Sequence, residues 1–148
     1  MTRFPSIVKI VKISLSLMLL LIACVVGEHV GSATYYINNQ SDLDLYYVFP
    51  IPDVRLTPDT TKIIVSKSSI EIYQDGIIGI NPTPSMTFEF IWLYASINDS
   101  IKLVYNHYPV IDEEWIIVEQ NLDKSGYGST VYELLVENSD LNLNLIQP

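Results

Sequence analysis

The chain has 148 residues, with 8 Lys+Arg against 17 Asp+Glu, and 49% of it is hydrophobic while 17% is charged, a balance that excludes disorder and suits one domain around a single core. Arg3, Lys9 and Lys12 give the first 23 residues +3, so the net charge of −9 hides a remainder with 5 basic and 17 acidic residues, or −12. So acidic a body lacks the Lys/Arg footprint that phosphate backbones demand, which argues against nucleic acid, and a single Cys excludes an internal disulfide, a Cys-based zinc site and a CxxC pair.

Taken in chain order, the basic start leads into residues 13–22, Ile-Ser-Leu-Ser-Leu-Met-Leu-Leu-Leu-Ile, an uncharged run with the length of a signal-peptide core. Extended to Val26 the run reaches 14 residues, short of the ~20 that a permanent spanning helix needs. It predicts export rather than a membrane span. Leu21-Ile22-Ala23-Cys24 closes the run and resembles the lipobox of bacterial lipoproteins. The resemblance implies a signal peptide over residues 1–23, cleavage before Cys24, and fatty acylation (palmitate or a similar chain) of the Cys24 thiol. A lipidated tether would follow over 24–33 and a folded domain over 34–148. In that family an Asp after the lipidated Cys resembles an inner-membrane retention signal. Val25 and Val26 stand there instead, so the resemblance implies outer-membrane sorting. The alternative is ordinary cleavage after Ala33, where Gly31 and Ala33 supply small residues, giving a secreted soluble protein that begins at Thr34.

From residue 25 on there are 16 Ile, 11 Val and 10 Tyr but only 2 Ala, a choice that favours strands over helices. Strands are expected at residues 34–38, 43–49, 61–66, 69–74, 87–95, 101–107, 115–122, 130–136 and, as a short last segment, 141–146. In the second, Leu43, Leu45, Tyr47 and Phe49 share one side while Asp44, Tyr46 and Val48 share the other. Residues 61–66 and 69–74 read as two arms of a hairpin, with Ile70 and Ile72 facing one way and Glu71 and Tyr73 the other. Asn81-Pro82-Thr83-Pro84 is a loop. In 87–95, Phe88, Phe90, Trp92 and Tyr94 line one face and Ile91 and Leu93 the other, which predicts a central strand with the aromatic face in the core. The other reading of that face is a ligand platform for a glycan or peptide. Seven to nine strands with turns every 8–12 residues predict a single all-β, immunoglobulin-like antiparallel sandwich.

Candidates for chemistry are few. His29 falls in the expected tether, and His107, beside Tyr105 and Tyr108, reads as a strand-end or surface residue without a nucleophile in view. Asp42 with Asp44, and the run Asp112-Glu113-Glu114, could begin to supply the oxygens of a calcium site, but neither has a calcium-loop spacing. No GxSxG elbow, phosphate loop or dinucleotide fingerprint is present. The expectation is therefore no catalytic residue, no cofactor and no metal site. Asp59-Thr60-Thr61 and Asp99-Ser100-Ile101 resemble an O-glycosylation pattern of some Gram-negative envelope proteins, at Thr60 and Ser100. Tyr35-Tyr36-Ile37-Asn38-Asn39, an aromatic strand running into an Asn-rich turn, resembles the start of many small envelope lipoproteins and carries no known activity with it. Two functions are expected to compete. One is a lipid-anchored cell-envelope protein with a non-catalytic binding or structural domain, whose partners are the membrane and an envelope protein or glycan. The other is an envelope or secreted glycan hydrolase using paired carboxylates.

Overall fold

Residue choice and turn chemistry together set the elements. The computed structural model describes residues 29–48 and 61–143, so the expected signal peptide, Cys24, Phe49 and Thr60 lie outside the described residues. The strands are β1 (Val30–Asn39), β2 (Leu45–Val48), β3 (Thr61–Ile64), β4 (Ser68–Ile78), β5 (Ile91–Ile97), β6 (Ser100–His107), β7 (Trp115–Leu122) and β8 (Gly128–Val136). A single turn of helix, α1 (Pro84–Thr87), begins on a proline, whose fixed φ and missing N–H suit a first helical position. Asn98 and Asp99 both take positive φ to close the tight β5–β6 hairpin.

The strands form two four-stranded sheets, sheet A in the order β4-β1-β8-β7 and sheet B in the order β3-β2-β5-β6. Their inner faces share one core, giving the all-β sandwich that the sequence predicts. Each described pairing is antiparallel except β1 with β8, which run parallel from Ser32↔Ser129 to Asn39↔Val136. The likeness to an immunoglobulin domain lies in this two-layer architecture, because the strands divide as 1, 4, 7, 8 and 2, 3, 5, 6 rather than in the constant-domain order. Tyr35 sits at the centre of the core. It meets Phe88 edge-on at 4.9 Å and Trp115 at 5.8 Å, and stacks on Tyr132 at 5.5 Å. Its hydroxyl pairs with Thr87 Oγ1 at 2.7 Å, and Thr87 donates on to Asp75 Oδ2 at 3.0 Å, so a buried phenol keeps a partner.

The structure departs from the expected elements in four places. First, residues 61–66 and 69–74 are not a hairpin. β3 pairs with β2 in sheet B and β4 with β1 in sheet A. The turn between them, with Lys67 at φ 59, carries the chain from one layer to the other, so Ile64 and Ile72 both reach the core. Second, β4 carries a bulge opposite Tyr35/Tyr36 that leaves Ile72 without a cross-strand partner. The extra residue reverses the alternation, and Tyr73 packs against the core rather than sharing the outer side with Glu71.

Third, β1 begins inside the stretch expected as tether. Gly31 and Ala33 are buried, and a Cβ on Gly31 would collide with Ile80 and Asn81. The loop at Ile80 and Asn81 thus gives Gly31 a packing reason to be small, and Ala33 lies in the core. His29 is likewise held, stacked on Tyr127 at 5.2 Å with Asp123 at 3.5 Å. Fourth, Leu141, expected to begin a strand, is a buried loop residue after a 3-10 turn. Asn142 gives Val104 a single backbone hydrogen bond there.

Candidate binding face

Alternation along β5 turns Ile91, Leu93 and Ala95 inward, all essentially inaccessible to solvent. Phe90, Trp92 and Tyr94 are thereby turned outward, which corrects the expectation that they line the core. Of the expected aromatic row only Phe88 is internal, stacked on Trp115 at 5.9 Å. Both faces of this strand are apolar, so period two alone does not say which one is inside. Volume decides it: Tyr35, Tyr47, Phe88, Trp115 and Tyr132 already occupy the interior, and the slimmer Ile-Leu-Ala face fits between them.

The outward rings are organised. Phe90 and Trp92 stack at 4.1 Å with 25° between their planes, and Trp92 Nε1–H donates to Asn106 Oδ1 at 2.9 Å, which holds the indole against β6. Trp92 keeps 38% of its surface exposed. Across the sheet, Tyr94 stands opposite Tyr46 of β2 and Leu103 of β6. Tyr46, Val48, Thr61, Tyr94 and Ile101 line a groove of about 320 Å³ with no Asp, Glu, Lys, Arg or His among its described lining residues. Tyr46 and Val48 were legible as a side of β2, while Thr61 and Ile101 join them only through sheet B pairing.

A second, polar cleft of about 560 Å³ lies at the end of β6, lined by Tyr105 to Pro109, Ile111, Glu114, Leu134, Leu135 and Asp140. His107, expected near the surface, is only 6% exposed. Its Nδ1 lies 3.0 Å from Glu114 Oε2, and its Nε2 accepts the Ile111 backbone N–H at 3.3 Å. Both ring nitrogens are thus committed in a neutral imidazole. Burial pushes its pKa below 6.5, partly opposed by the Glu114 charge. A ring so engaged offers no free lone pair to a substrate. Burial also pushes the neighbouring Tyr105 hydroxyl up, helped by Glu114 and Asp140.

Most of the acids considered for calcium are used locally. Asp42 pairs with Lys67 at 2.9 Å and with Asn138 Nδ2 at 2.6 Å, and Asp44 accepts the Ser66 N–H at 2.8 Å. Asp112 accepts the Ser85 N–H at 2.7 Å while Glu114 turns to His107, so that run does not converge. Among the described residues no group of three His, Cys, Asp or Glu could hold a metal. Ser100 opens β6 in an exposed position, reachable by a modifying enzyme. Compared with known families, curated proteins and solved structures, the chain matches none of them.

Proposed function

We propose a lipid-anchored cell-envelope protein, held through an acylated Cys24 and sorted to the outer membrane, whose sandwich binds another envelope component without catalysis. The observation that carries the binding half is the outward aromatic face of Phe90, Trp92 and Tyr94, continuous with a groove whose described lining is uncharged. Exposed rings fixed by a hydrogen bond and a stacking partner contact a ligand with little loss of side-chain freedom. The anchoring half rests on the lipobox and gains support from β1. Cleavage after Ala33 would remove four residues of a strand that lies between β4 and β8, including a core residue. Cleavage before Cys24 leaves that strand whole.

Two experiments test the reading. Cys24→Ser should abolish lipid labelling and release the protein into the soluble fraction; wild-type protein already soluble with Thr34 as its first residue overturns the anchor. Trp92→Ala and Tyr94→Ala should each lose capture of the envelope component that wild-type protein pulls down, with thermal stability kept. Retained capture by both variants removes the aromatic face from the function. A second reading, a glycan hydrolase, draws on Glu114 and Asp140 lining one polar cleft. Each already accepts a hydrogen bond, from His107 and from the Glu137 N–H respectively. Activity on wall glycan that disappears in both Glu114→Gln and Asp140→Asn would favour it.

A further inference from the structure

We infer that the end of the sandwich where β1 begins rests on the lipid bilayer, with Val30, Ile78, Ile80 and Leu122 in the boundary between headgroups and acyl chains. This rests on the anchor proposed above. Cys24 and Val30 are six positions apart, and six extended residues reach at most about 20 Å. Acyl chains on Cys24 therefore hold this end within that distance of the membrane. The surface presented there is suited to it. Val30 and Ile78 are cross-strand partners, Ile80 follows one turn later, and Leu122 closes the adjoining β7–β8 hairpin. All four are exposed, Ile78 by 62%. The end is also built as one unit: the Gly79 N–H donates to His29 O at 2.7 Å, and the Asn81 side chain donates to Gly126 O at 2.7 Å. At the far end, by contrast, Asp42, Lys67 and Asn138 are tied to one another. Apolar side chains beside an acyl anchor add burial in the interface, and Tyr127 and Lys124 suit the headgroup level.

The test uses the processed lipoprotein in vesicles of phosphatidylethanolamine and phosphatidylglycerol, carrying Ile80→Cys or, at the far end of β1, Gln40→Cys. Ten strand residues separate those ends by roughly 30 Å. Acylation of Cys24 leaves the introduced thiol as the single reactive one, so each protein takes one environment-sensitive fluorophore. The expected result is blue-shifted emission, quenched by doxyl-labelled lipid, at position 80 and neither effect at position 40. Water-like emission at both positions, in protein whose mass shows the acyl chains, overturns this inference and leaves the anchor standing. Quenching at both also overturns it, because the body would then lie flat. Protein without acyl mass overturns the inference and the anchor together.

Discussion

Asn39 and His107 carry the buried polar chemistry of this sandwich in different ways. Asn39 is inaccessible to solvent and its amide closes the β1–β2 turn. Nδ2 donates to Leu43 O at 2.8 Å and Ile64 O at 3.0 Å, while Oδ1 accepts from the Ser41 N–H at 3.0 Å and the Ser41 hydroxyl at 2.6 Å. Replacing it leaves several buried groups without partners, so Asn39→Ala should lose on the order of 3 kcal/mol. Urea unfolding gives the value, and a loss under about 1 kcal/mol would show that water replaces the amide. For His107 the folded state disfavours the proton that the unfolded chain accepts near pH 6.5. Between that value and the depressed folded one the unfolded state binds more protons, so stability is full above about pH 7 and declines as pH falls. The slope can reach about 1.4 kcal/mol per pH unit. Urea midpoints should therefore fall from pH 7.5 toward 5 in wild type by more than in His107→Gln; parallel curves would remove His107 as the cause.

At the scale of elements, β1 and β4 depend on groups that alternation does not reveal. Lys62 of β3 reaches across the layers and donates to the carbonyls of Glu71 at 2.8 Å and Ile72 at 3.1 Å. Those carbonyls sit at the bulge, where Ile72 has no cross-strand partner. Lys62→Met keeps the apolar stem and removes the donor, and should cost roughly 1–2 kcal/mol in thermal or urea unfolding. Because β1 is an interior strand of sheet A, its first residues are held from both sides. A chain that starts at Thr34 loses the partners of Ile78 through Asp75 and of Ser129 and Thr130. At about 1 kcal/mol for each ladder hydrogen bond, it should be less stable by on the order of 4 kcal/mol than a chain that starts at Val25. Equal denaturation midpoints would mean that residues 30–33 are dispensable, and would restore cleavage after Ala33 as an option.

For the whole molecule, charge and apolar surface act in opposite directions. Residues 24–148 sum to −12, a charge that an anionic leaflet would repel over a Debye length of about 8–10 Å. Attraction to lipid can then come only from acyl chains and from uncharged surface. Processed wild-type protein should stay on phosphatidylglycerol vesicles in low and high salt alike, while unacylated Cys24→Ser protein should stay off them at low salt. Co-sedimentation decides this, and low-salt binding of the Ser variant would place a basic patch where none is expected. On the proposed anchor, the same repulsion would disfavour a body lying flat and would leave the outer face of sheet B open.

Composition alone was enough for the all-β class, because branched and aromatic side chains in place of Ala favour strands over helices. Turn residues marked most strand ends, and alternation put Leu45 and Tyr47 on one side of β2, the side that the structure buries. Period two, however, has no sign when both faces are apolar. Whether Ile91 and Leu93 or Trp92 and Tyr94 point inward depends on the space left between two sheets, which is a tertiary quantity. A bulge in β4 reversed the reading of Tyr73, and a turn that changes layers made two apparent hairpin arms members of different sheets. Gly31 and Ala33 look in sequence like residues small enough for a peptidase. Only the tertiary structure adds a packing reason: the loop at Ile80 and Asn81 closes on Gly31, and Ala33 faces the core. The sequence by itself therefore determined the class, the acidic body and the candidate anchor, all of which depend on local chemistry. Tertiary structure alone decided which aromatic rings are free to meet a partner, because that depends on what already fills the core.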